Sequence, residues 1–158
     1  MPETILHVEK GSLGFAAAHF NCIGEARELL HGHNYSVGMR VHGQVRPDGA
    51  VIDFGDLKTI LREECAALDH RMIVPTRCAD IAVRHTGDAH VELLYRDGKR
   101  FLFPEGDCVL LPIPNSTCEC LAAHLLERLR TRLGDRDIGL EVSVDESPGQ
   151  GARVVEER

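Results

Sequence analysis

Three histidines stand within the stretch AHFNCIGEARELLHGHNY, residues 18–35: His19, His31 and His33. Zinc accepts neutral imidazole nitrogens, and a catalytic zinc site usually keeps three protein ligands with one position open for water or substrate. Side chains alternate along a strand, so His31 and His33 point the same way if HGHNY is extended. His19 ends the apolar face formed by Leu13, Phe15 and Ala17 in LGFAAAHF and offers a third ligand. The six cysteines, at 22, 65, 78, 108, 118 and 120, contain no C-x-x-C pair. That sets aside zinc-ribbon and thioredoxin readings and makes the histidine trio look catalytic rather than structural. A bare H-x-H also arises by chance at strand ends, where backbone carbonyls satisfy the rings. The third histidine tips the balance toward a metal. His7, His42, His85, His90 and His124 have no such grouping and read as surface or packing residues.

Two further features could carry chemistry. Asp69 and His70 close a helical stretch. A carboxylate beside an imidazole fixes its tautomer and raises its basicity, which suits a proton relay. The same pair also fits an ordinary helix end, where a histidine meets the last carbonyls. Glu146 shares strand parity with Ile138, Leu140, Val142 and Val144. A carboxylate on an apolar face is costly unless paired. A ligand with two adjacent N–H groups would pair both oxygens, unless the strand has already ended and Glu146 is wet.

The elements that must position these groups follow from periodicity. Residues 4–9 and 13–20 form a first strand region, and Asn21–Leu30 a loop or short helical turn. In HGHNYSVGMRVHGQV the two histidines share a face with Tyr35, Val37, Met39 and Val41. RPDGA is a turn, and VIDF is expected to return as the partner strand of an antiparallel hairpin. Leu57, Ile60, Leu61, Cys65 and Leu68 then fall on one helical stripe, with Asp53 or Asp56 as cap. Asp97-Gly98 joins two strand-like runs as a tight hairpin. Ser116 and Glu119 fit a capping box ahead of the stripe Leu121, Leu125, Leu129, Leu133, which stops at Gly134. IGLEVSVDES is the last strand, and the polar tail PGQGARVVEER is expected to fray. Antiparallel strands punctuated by two helices make an α+β domain.

The 158 residues suit a single domain spanning 1–158. Apolar residues make up 43% but aromatics only 4%, so the core must be mainly aliphatic. A net charge of −7 argues against nonspecific nucleic-acid binding, which needs basic surface. No run is long and apolar enough to span a bilayer, and MPETILHVEKGSLGF lacks the basic start and apolar core of a secretory signal. The expectation is a cytoplasmic chain with reduced thiols and no nucleic-acid or membrane partner.

FAAAHF, LHGHNYSVGMRVHG, GAVIDFGDLK, ALDHRM, NSTCECLA and VSVDES together resemble the 6-pyruvoyl-tetrahydropterin synthase family, which includes the 6-carboxytetrahydropterin synthases of queuosine biosynthesis. The match covers most of residues 5–70 and 114–147. The resemblance implies the tunnelling fold, an antiparallel sheet with two helices packed on one face. It implies zinc held by His19, His31 and His33, proton transfer involving Asp69 and His70, and a pterin ring anchored by Glu146 with help from Thr117. It also implies trimers or hexamers with active sites between subunits. The activity would be that of a zinc-dependent lyase on 7,8-dihydroneopterin triphosphate, eliminating triphosphate to give 6-carboxy- or 6-pyruvoyl-tetrahydropterin.

Two departures bear on that expectation. The family's base is commonly a Cys a few residues before HGH, where this chain has AREL. Cys22 is the nearest thiol and could serve if the loop folds back. Glu28 is the other candidate. ELLHGH resembles a subgroup that uses a Glu at this place and cleaves the substrate side chain to 6-hydroxymethyl-7,8-dihydropterin, a folate precursor. A homologue that binds pterin without turning it over is a third possibility. The second departure is an inserted region, about 73–112, that holds the Asp97-Gly98 hairpin and either extends the sheet or covers the site.

Overall fold

A computed structural model describes residues 2–156. The first strand, β1 (Thr4–His19), leads through a small hairpin, β2 (Cys22–Ile23) and β3 (Ala26–Arg27), into β4 (His31–Gly43). Helix α1 (Phe54–Ala66) precedes β5 (Arg71–Pro75), and then come β6 (Ile81–His85), β7 (His90–Tyr95), β8 (Arg100–Pro104) and β9 (Cys108–Leu111). Helix α2 (Cys118–Leu133), β10 (Ile138–Ser147) and β11 (Gln150–Val155) complete the described chain.

Six strands form the main sheet in the order β11-β10-β4-β1-β5-β9. Its first four members are antiparallel, and β5 and β9 add in parallel at one edge, so the sheet is mixed. The α+β class with two helices against a sheet stands. Leu57, Leu61 and Cys65 of α1 and Leu121, Leu125, Leu129 and Leu133 of α2 are buried in one cluster with Phe15, Tyr35, Val37, Met39, Leu140, Val142 and Val144. The register of β1 against β4 shifts between Glu9 and Gly14. That irregularity lets Val8 and Leu13, an odd number of residues apart, both enter this core.

The 73–112 region builds a second layer. Strands β6, β7 and β8 form a separate antiparallel sheet, with Gly98 at φ +87° in the expected turn. Its inner residues Ile81, Val91, Leu93 and Tyr95 pack with Phe20, Met72 and Val74. Within β5, Ile73 faces the helix-side core while Met72 and Val74 face this second one. A strand covered on both faces reads as a continuous apolar run, and MIVP does.

Four local expectations are corrected. VIDF does not return as a strand: β4 pairs with β1 and β10, and Val51 and Ile52 are buried in the main core ahead of α1. Asp53 caps α1, its Oδ1 accepting from the backbone N–H of Gly55 (2.6 Å) and Asp56 (3.1 Å). Thr117 rather than Ser116 caps α2. Asn21–Leu30, expected as a loop or short helical turn, contains the small β2–β3 hairpin, with Gly24 at φ +62° supplying the left-handed turn position. The tail does not fray: residues 150–155 pair with β10 as the edge strand β11.

Candidate active site

His19 and His31 are cross-strand partners at the end of the β1–β4 pair, and His33 lies opposite Ala17. Their ring centroids are 4.6, 5.2 and 4.8 Å apart. Each ring offers a nitrogen, and all three nitrogens lie within 4.8 Å of one another. The sequence places them there because the apolar alternation of both strands ends in histidine on the same face.

Two of the rings are oriented as ligands need to be. His19 is buried, and its Nδ1 is 3.1 Å from the Ser116 carbonyl oxygen and 3.2 Å from the Ser116 hydroxyl. A carbonyl only accepts, so Nδ1–H donates and the Nε2 lone pair remains, here 3.1 Å from the Tyr35 hydroxyl. His31 is held the same way, its Nδ1 donating to the Leu29 carbonyl at 2.7 Å. Such outer contacts fix the tautomer and direction of metal-binding histidines. Burial, then the proximity of His31 and His33, lowers the His19 pKa to about 4. His19 is therefore neutral at physiological pH, the state a metal requires. The donor set and its anchoring fit a metal ion that accepts imidazole nitrogens.

An open cavity of about 350 Å³ lies beside the trio, lined by Glu28, His31, His33, Thr117, Cys118 and Glu146 among others. Glu28 arrives on the β2–β3 hairpin. Its N–H donates to the Asn21 carbonyl at 2.9 Å, and its Oε2 accepts from the Asn21 N–H at 3.1 Å. Glu146 sits where the β10–β11 register shifts between Asp145 and Ser147. A bulge re-aims a side chain, and the Glu146 carboxylate stands 3.7 Å from His33 Nε2 and 3.9 Å from Cys118 Sγ. Burial, then Glu146, pushes the Cys118 thiol up to about 11. Thr117 lines the cavity while its hydroxyl caps α2 through the Cys120 N–H.

Cys22 does not join this group. Its thiol gathers with Cys78 and Asp80, all three ligand-type atoms lying within 4.8 Å of one another. Burial, then Cys78, pushes the Cys22 thiol up to about 12. Asp69 and His70 also lie apart. Asp69 Oδ1 accepts from the Ala16 N–H at 2.7 Å, Asp69 Oδ2 pairs with His70 Nδ1 at 2.8 Å, and the His70 side chain is 83% exposed. The Ala16 N–H, then the His70 ring, holds the Asp69 carboxyl below its usual range. Ala16 is three residues before His19, about 10 Å along a strand. His70 adopts φ +57°, a left-handed conformation that is unusual outside glycine and clusters at functional sites.

Sequence reasoning missed Ser116, Tyr35 and the asparagines. Ser116 looked like a helix cap. It is buried and ties His19 to Phe20 and Asn21, its hydroxyl oxygen 3.1 Å from the Phe20 carbonyl oxygen and 3.1 Å from Asn21 Oδ1. Asn115 clamps the hairpin, its Oδ1 accepting from the Cys22 N–H at 3.2 Å and its Nδ2 donating to the Cys22 carbonyl at 2.9 Å.

The family model for 6-pyruvoyl tetrahydropterin synthase matches residues 10–157. The chain belongs to the 6-pyruvoyl tetrahydropterin synthase family. A protein of Methanocaldococcus jannaschii, provisionally named 6-carboxy-5,6,7,8-tetrahydropterin synthase, is 34% identical over 145 residues, covering 89% of this chain and 88% of that one. The solved 6-pyruvoyl tetrahydropterin synthase of Plasmodium falciparum superposes with a TM-score of 0.94 at 36% identity, covering 99% of each chain. A Plasmodium vivax synthase, solved as a catalytic-residue mutant with a glutamate replaced by alanine, gives 0.94 at 33% identity and covers both chains fully. The two Plasmodium structures are matched over 99% or more of their length, so the second layer built within residues 73–112 has its counterpart in them.

Proposed function

We propose that this chain is a zinc-dependent pterin lyase that uses Glu28 as its base and cleaves the side chain of 7,8-dihydroneopterin triphosphate to 6-hydroxymethyl-7,8-dihydropterin. One observation carries the reading: Glu28 lines the cavity with His31 and His33, whereas the Cys22 thiol faces Cys78. The catalytic glutamate replaced in the P. vivax mutant supports it.

His19, His31 and His33 would hold the zinc. The bound ion would supply Lewis-acid polarisation of the side-chain hydroxyls. Asn21 occupies one oxygen of Glu28 and leaves Oε1 to take the proton of a side-chain hydroxyl. The adjacent carbon–carbon bond then breaks, its electrons pass into the dihydropterin ring, and a proton returns to the exocyclic carbon. The other fragment leaves as an aldehyde carrying the triphosphate. Glu146 would accept the ring N–H and the 2-amino group in a bidentate pair, with Thr117 beside it. The exposed Asp69–His70 pair does not line its own cavity. We assign it to the site of an adjacent subunit in a homo-oligomer, a trimer or hexamer, working in the cytoplasm.

The second reading is formation of 6-carboxytetrahydropterin with loss of triphosphate, favoured by the name of the M. jannaschii relative. Incubating zinc-loaded protein with dihydroneopterin triphosphate and weighing the product separates the two. We expect the hydroxymethyl product, a loss of about 10²–10⁴ in rate for Glu28→Ala, and little change for Cys22→Ala. Unchanged rate and product in Glu28→Ala would overturn the proposal.

A further inference from the structure

The hairpin that carries Glu28 is too small to hold its own shape. Cys22↔Arg27 and Ile23↔Ala26 are its strand pairs, extended by the Glu28 N–H to the Asn21 carbonyl, whereas a stable hairpin needs a packed face. Ile23, Leu29 and Leu30 are exposed around it. Asn115 clamps the Cys22 arm, and Arg27 anchors the arm that leads to Glu28. The guanidinium carbon lies 5.0 Å from the ring centre of Phe20, 5.0 Å from Phe101 and 5.8 Å from Tyr95. Nη1 donates to the carbonyl of Glu28 at 2.5 Å. Nε is buried and has no hydrogen-bond partner among the described residues, so the ring faces are what receive this cation. Successive side chains of an extended chain point to opposite sides. Arg27 turned into the aromatic cluster therefore leaves Glu28 turned toward the cavity.

We propose that Arg27 is a positioning residue, through which the β6–β7–β8 sheet and Phe20 aim the Glu28 carboxylate at the reacting hydroxyl. The proposal rests on Glu28 being the base, and it gives the second layer a role in the chemistry. The neighbouring Cys22, Cys78 and Asp80 group offers no rival role as a cation site. Asp80 is already paired with Arg96 at 3.3 Å, and Arg27 and Arg96 both act on Cys22 through their charge.

The test compares zinc-loaded wild type, Arg27→Met, Arg27→Lys, Glu28→Gln and the Arg27→Met/Glu28→Gln double variant with dihydroneopterin triphosphate. Arg27→Met should lower kcat about 10- to 100-fold, the scale of a small misplacement of a reacting group, with KM and zinc content within about twofold. Lysine should restore only part of the loss, because an ammonium lacks the planar face that stacks on rings. The Glu28 amide should exchange its hydrogen at least about tenfold faster in Arg27→Met. In the Glu28→Gln background the Arg27 change should cause no further loss. Wild-type kcat in Arg27→Met, or an equal loss in both backgrounds, overturns the positioning role. Full turnover in Glu28→Gln instead overturns the base assignment, whatever Arg27 does. Should Arg27→Met fail to fold, Phe101→Leu removes one ring face, and a kcat at least about threefold lower, or no change, decides the matter in the same way.

Discussion

The two arms of the Asn21–Leu30 hairpin begin as equals and end in opposite surroundings. Glu28 on one arm lines an open, polar cavity with His31 and His33. Cys22 on the other is drawn into an apolar layer with Phe20, Cys78 and Tyr95. Six residues apart in sequence, the two differ in how far solvent can reach them, and on the proposed reading that difference selects Glu28 as the base. A thiol needs an electropositive, accessible setting to act as a nucleophile or base. Cys22 is partly buried, and that burial, with Cys78 and Asp80 beside it, outweighs the pull of Arg27, while the carboxylate needs only exposure and a nearby cation. The open cavity should therefore answer to changes in chemistry, and the closed layer to changes in packing.

The largest effect is expected on the cavity side. His31→Ala removes an exposed ligand that supports no core, so the fold should persist by circular dichroism. Metal content should fall from about one ion per chain to near zero, and turnover with it. Full zinc occupancy in this variant would break the assignment of the trio. On the closed side, Leu93 is fully buried between the second sheet and β5. Leu93→Ala should destabilise by about 2–5 kcal/mol in urea unfolding while leaving zinc stoichiometry intact below the transition. If it instead removed zinc without lowering stability, the division between the two regions would be wrong. Ser116→Ala falls between them. It takes one hydrogen bond from the His19 ring, and zinc affinity should weaken about 10- to 100-fold by competition with a chelator.

What the sequence made legible follows the same division. Strand alternation ending in His19, His31 and His33 is a local pattern, and the structure brings those three rings together. The leucine stripe of α2 and the Asp97-Gly98 turn are also local, and each appears where periodicity puts it. Ser116 was illegible because its partner His19 lies 97 residues away, while S-T-C-E satisfies a capping pattern on its own. VIDF misled for a related reason. Val51 and Ile52 are apolar enough for a strand, but β4 already has partners on both sides from distant parts of the chain. The edge strand β11 has weak alternation and owes its form to β10. The fates of Cys22 and Glu28 depended on which core received the hairpin, and no spacing within residues 18–35 encodes that.

The smallest expected effect is the sharpest test of the comparison, because it concerns an absence of change. Burial, then Cys78, raises the Cys22 thiol from an ordinary 9.0 to about 12. At pH 8 the folded chain thus holds much less Cys22 thiolate than an unconstrained thiol would. Iodoacetamide should label Cys22 slowly in the native protein and readily in urea, read out by peptide mass. The sign is that of an acid whose folded pKa lies above its unfolded one. Keeping the thiol neutral favours the native state in full below about pH 9, and that contribution is lost as pH rises toward 12. Cys22→Ala should therefore stay within about twofold of wild type at pH 7–8, as a small apolar replacement in a layer where thiols pack as small hydrophobes. Rapid native labelling together with a large loss in Cys22→Ala would reverse the roles of the two arms. The hairpin would then have to present its thiol to the cavity in solution, with Arg27 released from its rings.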